Sequence, residues 1–187
     1  MLAKQMFAPA TPEDADFTGT WTLLDPYFKT SDGTGHSDPA SGFAAMLLEN
    51  DTYGKVLAIA GTEASAPGQL EQDLLDADLT EIREYGIAFK QLVSLYNYVQ
   101  VLRGAQGELV DQLVVRTGDT PPAGLSYLVS GYEMVSPIDS VKTEYIWLEK
   151  AAPTEGLGLL SADDKLTVVG HSLGGHLSSL AVALFPD

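Results

Sequence analysis

The sequence predicts an α/β protein, a mostly parallel sheet flanked by helices, and three observations carry that prediction. Leu166-Thr167-Val168-Val169 is a short, β-branched, apolar run of the kind buried inside a parallel sheet. Lys55-Val56-Leu57-Ala58-Ile59-Ala60 is a second such run. Helical stripes accompany them. Phe89, Leu92, Val93, Tyr96, Val99 and Leu102 recur at helical spacing between the two runs, and Leu173, Leu177, Leu180, Ala181, Leu184 and Phe185 do so after the 166–169 run.

The junction between the 166–169 run and the last stripe reads Gly170-His171-Ser172-Leu173-Gly174-Gly175. A strand that turns sharply into a helix with a serine at the turn is a nucleophile elbow: the turn lifts Oγ clear of the sheet, and the first helical amides face the reacting group. Gly170 and Gly174 stand where a side chain collides with neighbouring backbone, so Gly170, His171, Gly174 and Gly175 are expected to build the turn around Ser172. The pentapeptide alone is a weak signal; the strand before it and the helix after it give it weight.

Acyl chemistry at such a serine develops an oxyanion that needs two amide donors about 3 Å away. One comes from the residue after the nucleophile, Leu173, and the other from the loop after an earlier core strand. The 55–60 run ends at Gly61-Thr62-Glu63, which puts the Thr62 amide in the right order for the second donor, with its hydroxyl as a further one. Taken without Ser172, Gly61-Thr62 is equally a strand-ending turn.

The remaining elements follow in chain order. Residues 1–40 are rich in Pro, Gly, Asp and Thr, with Trp21, Leu23, Leu24, Tyr27 and Phe28 as an apolar cluster, and read as an N-terminal arm packed on the core. His36, among Gly, Ser and Asp, is a solvated turn residue or a metal ligand. Residues 42–49 form a helix or a strand, and Asn50–Gly54 a turn. Asp73, Asp76 and Asp78 lie in a leucine-spaced acidic stretch over 69–79, which reads as a solvated helix face because it lacks the glycine and final glutamate of a calcium-binding loop. Residues 87–102 read as a long core helix. Between 103 and 164, residues 109–116 suggest a strand and 117–124 a turn, and the aromatic-rich 127–148 stretch is either a lid over an acyl pocket or additional strands.

Composition bounds the function. With 187 residues the chain suits one domain, 1–187, and its formal charge of 10 minus 26, or −16, repels nucleic acid and anionic membrane surfaces. There is no cysteine, hence no disulfide or thiolate chemistry. Residues 1–17 lack the pattern of a secretory signal peptide, and no run has the length of a membrane span.

VVGHSLGGHLSSLAVALFP, with VLAIAGTE about 110 residues before it, resembles the α/β-hydrolase fold, and within it the class 3 lipases and related bacterial lipases and phospholipases A1. The resemblance implies Ser172 as nucleophile, Leu173 and Thr62 as oxyanion donors, a lipid or small acyl ester as substrate, and no cofactor for the chemistry. It also implies an extracellular protein exported through a C-terminal signal with calcium-binding repeats; the cysteine count, the charge and the N-terminus fit that route, and a cytoplasmic location is the alternative.

The chain departs from this pattern in its triad. A serine needs a histidine to take its proton and a carboxylate to orient that histidine, in the order Ser, acid, His. Only 15 residues follow Ser172. His171 lies within the elbow, His176 is anchored a helical turn on, His36 precedes everything, and Asp187 comes too early for the acid. The expectation is therefore a domain truncated after the elbow helix, inactive alone, with the acid and base on the remainder of the polypeptide. The alternatives are a thioesterase or acyltransferase, or a non-catalytic lipid- or partner-binding module.

Overall fold

A tight turn decides the first pairing. Asn50 Oδ1 accepts from the amides of Thr52 (2.8 Å) and Tyr53 (3.1 Å), which folds the chain back between strands β2 (Ala45–Asn50) and β3 (Gly54–Ile59) as a hairpin. The computed structural model describes residues 20–27, 41–61, 88–134 and 141–186. Strand β1 (Trp21–Tyr27) adds antiparallel to β2; its Pro26 is tolerated because β1 is an edge strand. Helix α1 (Phe89–Arg103) follows, then β4 (Leu109–Gly118), β5 (Tyr127–Met134) and β6 (Val141–Glu155), then β7 (Leu166–Gly170) and helix α2 (Leu173–Leu184).

The described strands form two sheets, in the order β1-β2-β3-β7 and β4-β6-β5. Four of the five pairings are antiparallel, and only β3 with β7 is parallel. This corrects the expected α/β-hydrolase fold with a mostly parallel sheet. Apolar runs do not reveal strand direction, whereas connection length does: a parallel neighbour needs a crossover of roughly a dozen residues or more. The β2–β3 turn is too short for one. The long path from β3 to β7, which includes α1, permits one, and that pair is the parallel one.

The sheet order also revises individual elements. Residues 42–49, open between helix and strand, supply β2; the apolar cluster at Trp21–Tyr27 is a paired strand whose Leu24 and Tyr27 pack on the core. The 127–148 stretch contributes β5 and β6, so its aromatics lie on strands. The acidic 69–79 stretch, His36 and Asp187 lie outside the described residues.

Both helices pack on one face of the first sheet. Leu47, Leu57 and Ile59 point from that face into a core with Leu95, Tyr98, Val99 and Leu102 of α1 and Leu177 and Ala181 of α2. At about 1.5–3 kcal/mol for each large apolar side chain, this burial is the main force holding helices to sheet. Tyr98 carries a polar tip inward: its hydroxyl donates to the Asp25 carboxylate (2.9 Å), and its ring lies 4.5 Å from that of Tyr27. Burial first, then the Asp25 charge, pushes the Tyr98 phenol well above its ordinary range. A surface ion pair fastens the other end of the sheet. Lys55 Nζ reaches Asp164 Oδ2 at 2.6 Å, and the same oxygen accepts from the Ser161 amide at 2.7 Å. The Lys55 bond, then the Ser161 amide, lowers the Asp164 carboxyl to about 2.

The second sheet is an excursion from the chain between α1 and β7. Its two ends meet at a neck, where Gly107 N donates to Gly156 O (3.0 Å), Gly156 N to Glu108 O (2.7 Å) and Gly158 N to Gly104 O (2.7 Å). Beyond the neck, β4 lies along α1. Asn97 imitates a strand neighbour there, donating to Leu113 O at 2.8 Å and accepting from Leu113 N at 2.9 Å, so it satisfies part of the β4 edge.

Candidate active site

The parallel β3–β7 pair places the serine. Its register sets Ile59 opposite Gly170, so both strands end at the same level and their exits lie side by side. From β7 the chain passes through His171 and Ser172 directly into α2. Ser172 adopts φ 55°, ψ −124°, and it is the sole residue other than glycine with positive φ among the described residues. An L side chain in that region costs about 1–3 kcal/mol and persists only where the surroundings impose it.

The surroundings do impose it. Gly174 N donates to His171 O (3.0 Å), and Ser172 O accepts from Gly175 N (2.9 Å) and His176 N (3.1 Å), closing the first helical turn over the serine. A Cβ on Gly174 would run into the Ile59 carbonyl oxygen and stand 2.8 Å from that of Ala60; one on Gly170 would run into the Gly174 carbonyl and stand 2.8 Å from Ser178 Oγ. Neither glycine tolerates a side chain, because α2 sits directly on the exits of β3 and β7. Gly175 is different, since a Cβ there meets only Gly170 O at 3.4 Å. Ser178 is a contributor that the sequence reading did not single out: its Oγ donates to Gly174 O at 2.7 Å above Gly170. A serine four residues after a glycine on the same helix was the available signal.

Ser172 and His171 are exposed. The Leu173 amide donates to no group among the described residues and belongs to the helix N-terminus, where partial positive charge gathers. Thr62 lies outside the described residues, but its neighbour Gly61 does not: a Cβ on Gly61 would lie 2.5 Å from His171 O and 3.5 Å from Ser172 Cβ. The end of β3 therefore abuts the elbow itself.

The histidines and acids are placed less usefully. His176 Nε2 is buried and bonded to nothing among the described residues, and the His176 backbone is committed to the first turn of α2. Asp163 and Asp164 precede β7, and Asp164 is held by Lys55. They sit at the far end of a strand that rises about 3.3 Å per residue, out of reach of Ser172. A cleft of about 330 Å³, lined by Leu57, Val99, Arg103, Leu166, Val168 and Phe185, opens at that same far end. No cluster of metal-ligating side chains occurs among the described residues, and none of their helices is long and apolar enough to cross a membrane.

The arrangement presents an exposed serine on a strained turn, beside an amide that has no partner among the described residues. No protein-family model, curated protein or solved structure matches the chain.

Proposed function

We propose that Ser172 is the nucleophile of a serine hydrolase acting on carboxylic acyl esters, of the lipase or phospholipase A1 type. The backbone of Ser172 carries this reading: a non-glycine residue at φ 55°, ψ −124° between a parallel strand and a helix, enclosed by glycines that admit no side chain. Strain of that kind holds an Oγ outward and has no packing role, since Ser172 is exposed.

In the reaction Ser172 Oγ attacks the ester carbonyl while its proton passes to a histidine base. The Leu173 amide, joined by that of Thr62, holds the oxyanion. Collapse expels the alcohol, which takes the proton from the histidine, and leaves an acyl ester on Ser172. Water, deprotonated by the same base, then releases the carboxylic acid and restores the serine. In this reading the histidine and its orienting carboxylate are groups other than His171 and His176, whose backbones are fixed in the elbow turn. No cofactor takes part in these steps.

The protein isolated from its source should be labelled by a fluorophosphonate at Ser172, and Ser172→Ala should abolish ester turnover. Turnover that survives in the alanine variant refutes the assignment. Absence of both labelling and turnover in the parent favours a non-catalytic binding module. Acyl thioesters assayed beside oxygen esters separate a thioesterase from an esterase.

A further inference from the structure

Four of the described strands stand at the ends of the two sheets, and three of them carry features that keep a further strand away. β1 has Asp25, Pro26 and a break in register between Leu23 and Asp25. β4 has a break between Val110 and Gln112 and the Asn97 side chain bonded to its Leu113 backbone, and β5 has a break between Val129 and Gly131, with Glu133 beyond it. β7 has none of these. Leu166-Thr167-Val168-Val169-Gly170 pairs with β3 in unbroken register, and no described strand follows on its other side. It holds neither proline nor charge, and residues 166–186 are the longest uncharged run in a chain of net charge −16.

We propose that β7 pairs edge to edge with β7 of a second copy of the chain, antiparallel about a two-fold axis at Val168. Such an axis sets 166 opposite 170 and 167 opposite 169, and each surface against its own kind, so a strand is its own partner only where no like charges meet. Leu166 to Gly170 meets that condition. Charge also favours the copy over a different protein. A partner drawn by −16 would be basic, and this run offers it no acid, whereas two neutral edges close with the acidic remainder of each chain outside the seam. Helix α2 lies over β7, at the same margin of the sheet. Its Val182 and Phe185 line the cleft with Val99 and Arg103 of α1, so Leu180 and Ala183, on the opposite flank, adjoin the axis. Thr167 and Ala183 are exposed and Val168, Val169 and Leu180 half-buried, which leaves strand and flank accessible.

The test uses the full chain, which has no cysteine of its own. Sedimentation equilibrium should find a dimer that dissociates on dilution, and Thr167→Lys should raise its dissociation constant about tenfold or more by setting an ammonium against Val169 of the copy. Thr167 is exposed, so the single chain should keep its fold, which far-UV circular dichroism checks. In Val168→Cys the new thiols face each other across the axis, with Cα atoms about 4.5–5.5 Å apart, within reach of a disulfide. Mild oxidation should link this variant into dimers and leave Ser179→Cys, exposed on α2, unlinked. A chain that stays monomeric at about 0.1 mM, open-ended oligomers in place of a dimer, a Thr167→Lys variant that dimerises like its parent, or equal cross-linking of the two cysteine variants overturns the proposal.

Discussion

Replacing Ser172 by glycine should stabilise the protein relative to replacing it by alanine. At an ordinary helical position the order is reversed: glycine costs about 1 kcal/mol more than alanine because the unfolded chain gains freedom. Ser179 provides that reference, since it is exposed on α2 and its single side-chain bond, to Gly175 O, is lost in both variants. At Ser172 the backbone sits at φ 55°, ψ −124°. Alanine keeps the Cβ and therefore the full strain of about 1–3 kcal/mol, whereas glycine removes it. Subtracting the entropic cost leaves glycine ahead at 172 by about 1 kcal/mol, and a chain of this length converts that to about 2–4 °C in Tm. Urea and thermal unfolding of all four variants read the difference of differences, which cancels effects common to both sites. If glycine trails alanine at 172 by the same margin as at 179, the strain is absent and the structural argument for Ser172 as a nucleophile fails with it.

Three further outcomes follow from the same geometry. Gly174→Ala should cost about 1–3 kcal/mol by driving α2 off the carbonyls of Ile59 and Ala60, while Gly175→Ala should stay near neutral, as urea midpoints will show. The Asp164 carboxyl titrates near 2 in the folded protein against an ordinary 3.8, so its pairing with Lys55 contributes above about pH 4 and is lost as pH falls toward 2. Lys55→Met should lower stability at neutral pH by about 1 kcal/mol or less, the pair being at the surface, and the gap should close in acid. Tyr98→Phe should cost about 1–3 kcal/mol by withdrawing a donor from the buried Asp25. In the parent the raised Tyr98 phenol makes stability fall as pH climbs past about 10, and calorimetry should find that decline weakened in the phenylalanine variant.

Local chemistry was legible in the sequence wherever it depends on neighbours in the chain. The elbow reads directly as a β-branched run, then Gly170-His171-Ser172-Leu173-Gly174, then a helical stripe, because strand propensity, turn glycines and the 3.6-residue period are all short-range properties. Helix α1 and strand β3 were legible for the same reason. What tertiary structure alone decided was direction and neighbourhood. Runs such as Ala45–Leu48 and Leu57–Ile59 are equally apolar in parallel and antiparallel sheets; the Asn50–Gly54 hairpin fixes β2 and β3 as antiparallel and the long path from β3 to β7 permits their parallel pairing, while the direction of the other pairs is decided by tertiary structure. The contact of Gly61 with His171 joins residues 110 positions apart, and no periodicity encodes it. The pairing of aromatics between β5 and β6 likewise exists only through cross-strand register, which sets Tyr127 beside Trp147. Sequence by itself determined that this chain holds a serine on a strand-to-helix turn. The meeting of β3 and β7 decided that the turn is strained, walled by carbonyls and exposed, because such close approach depends on where two distant backbones end.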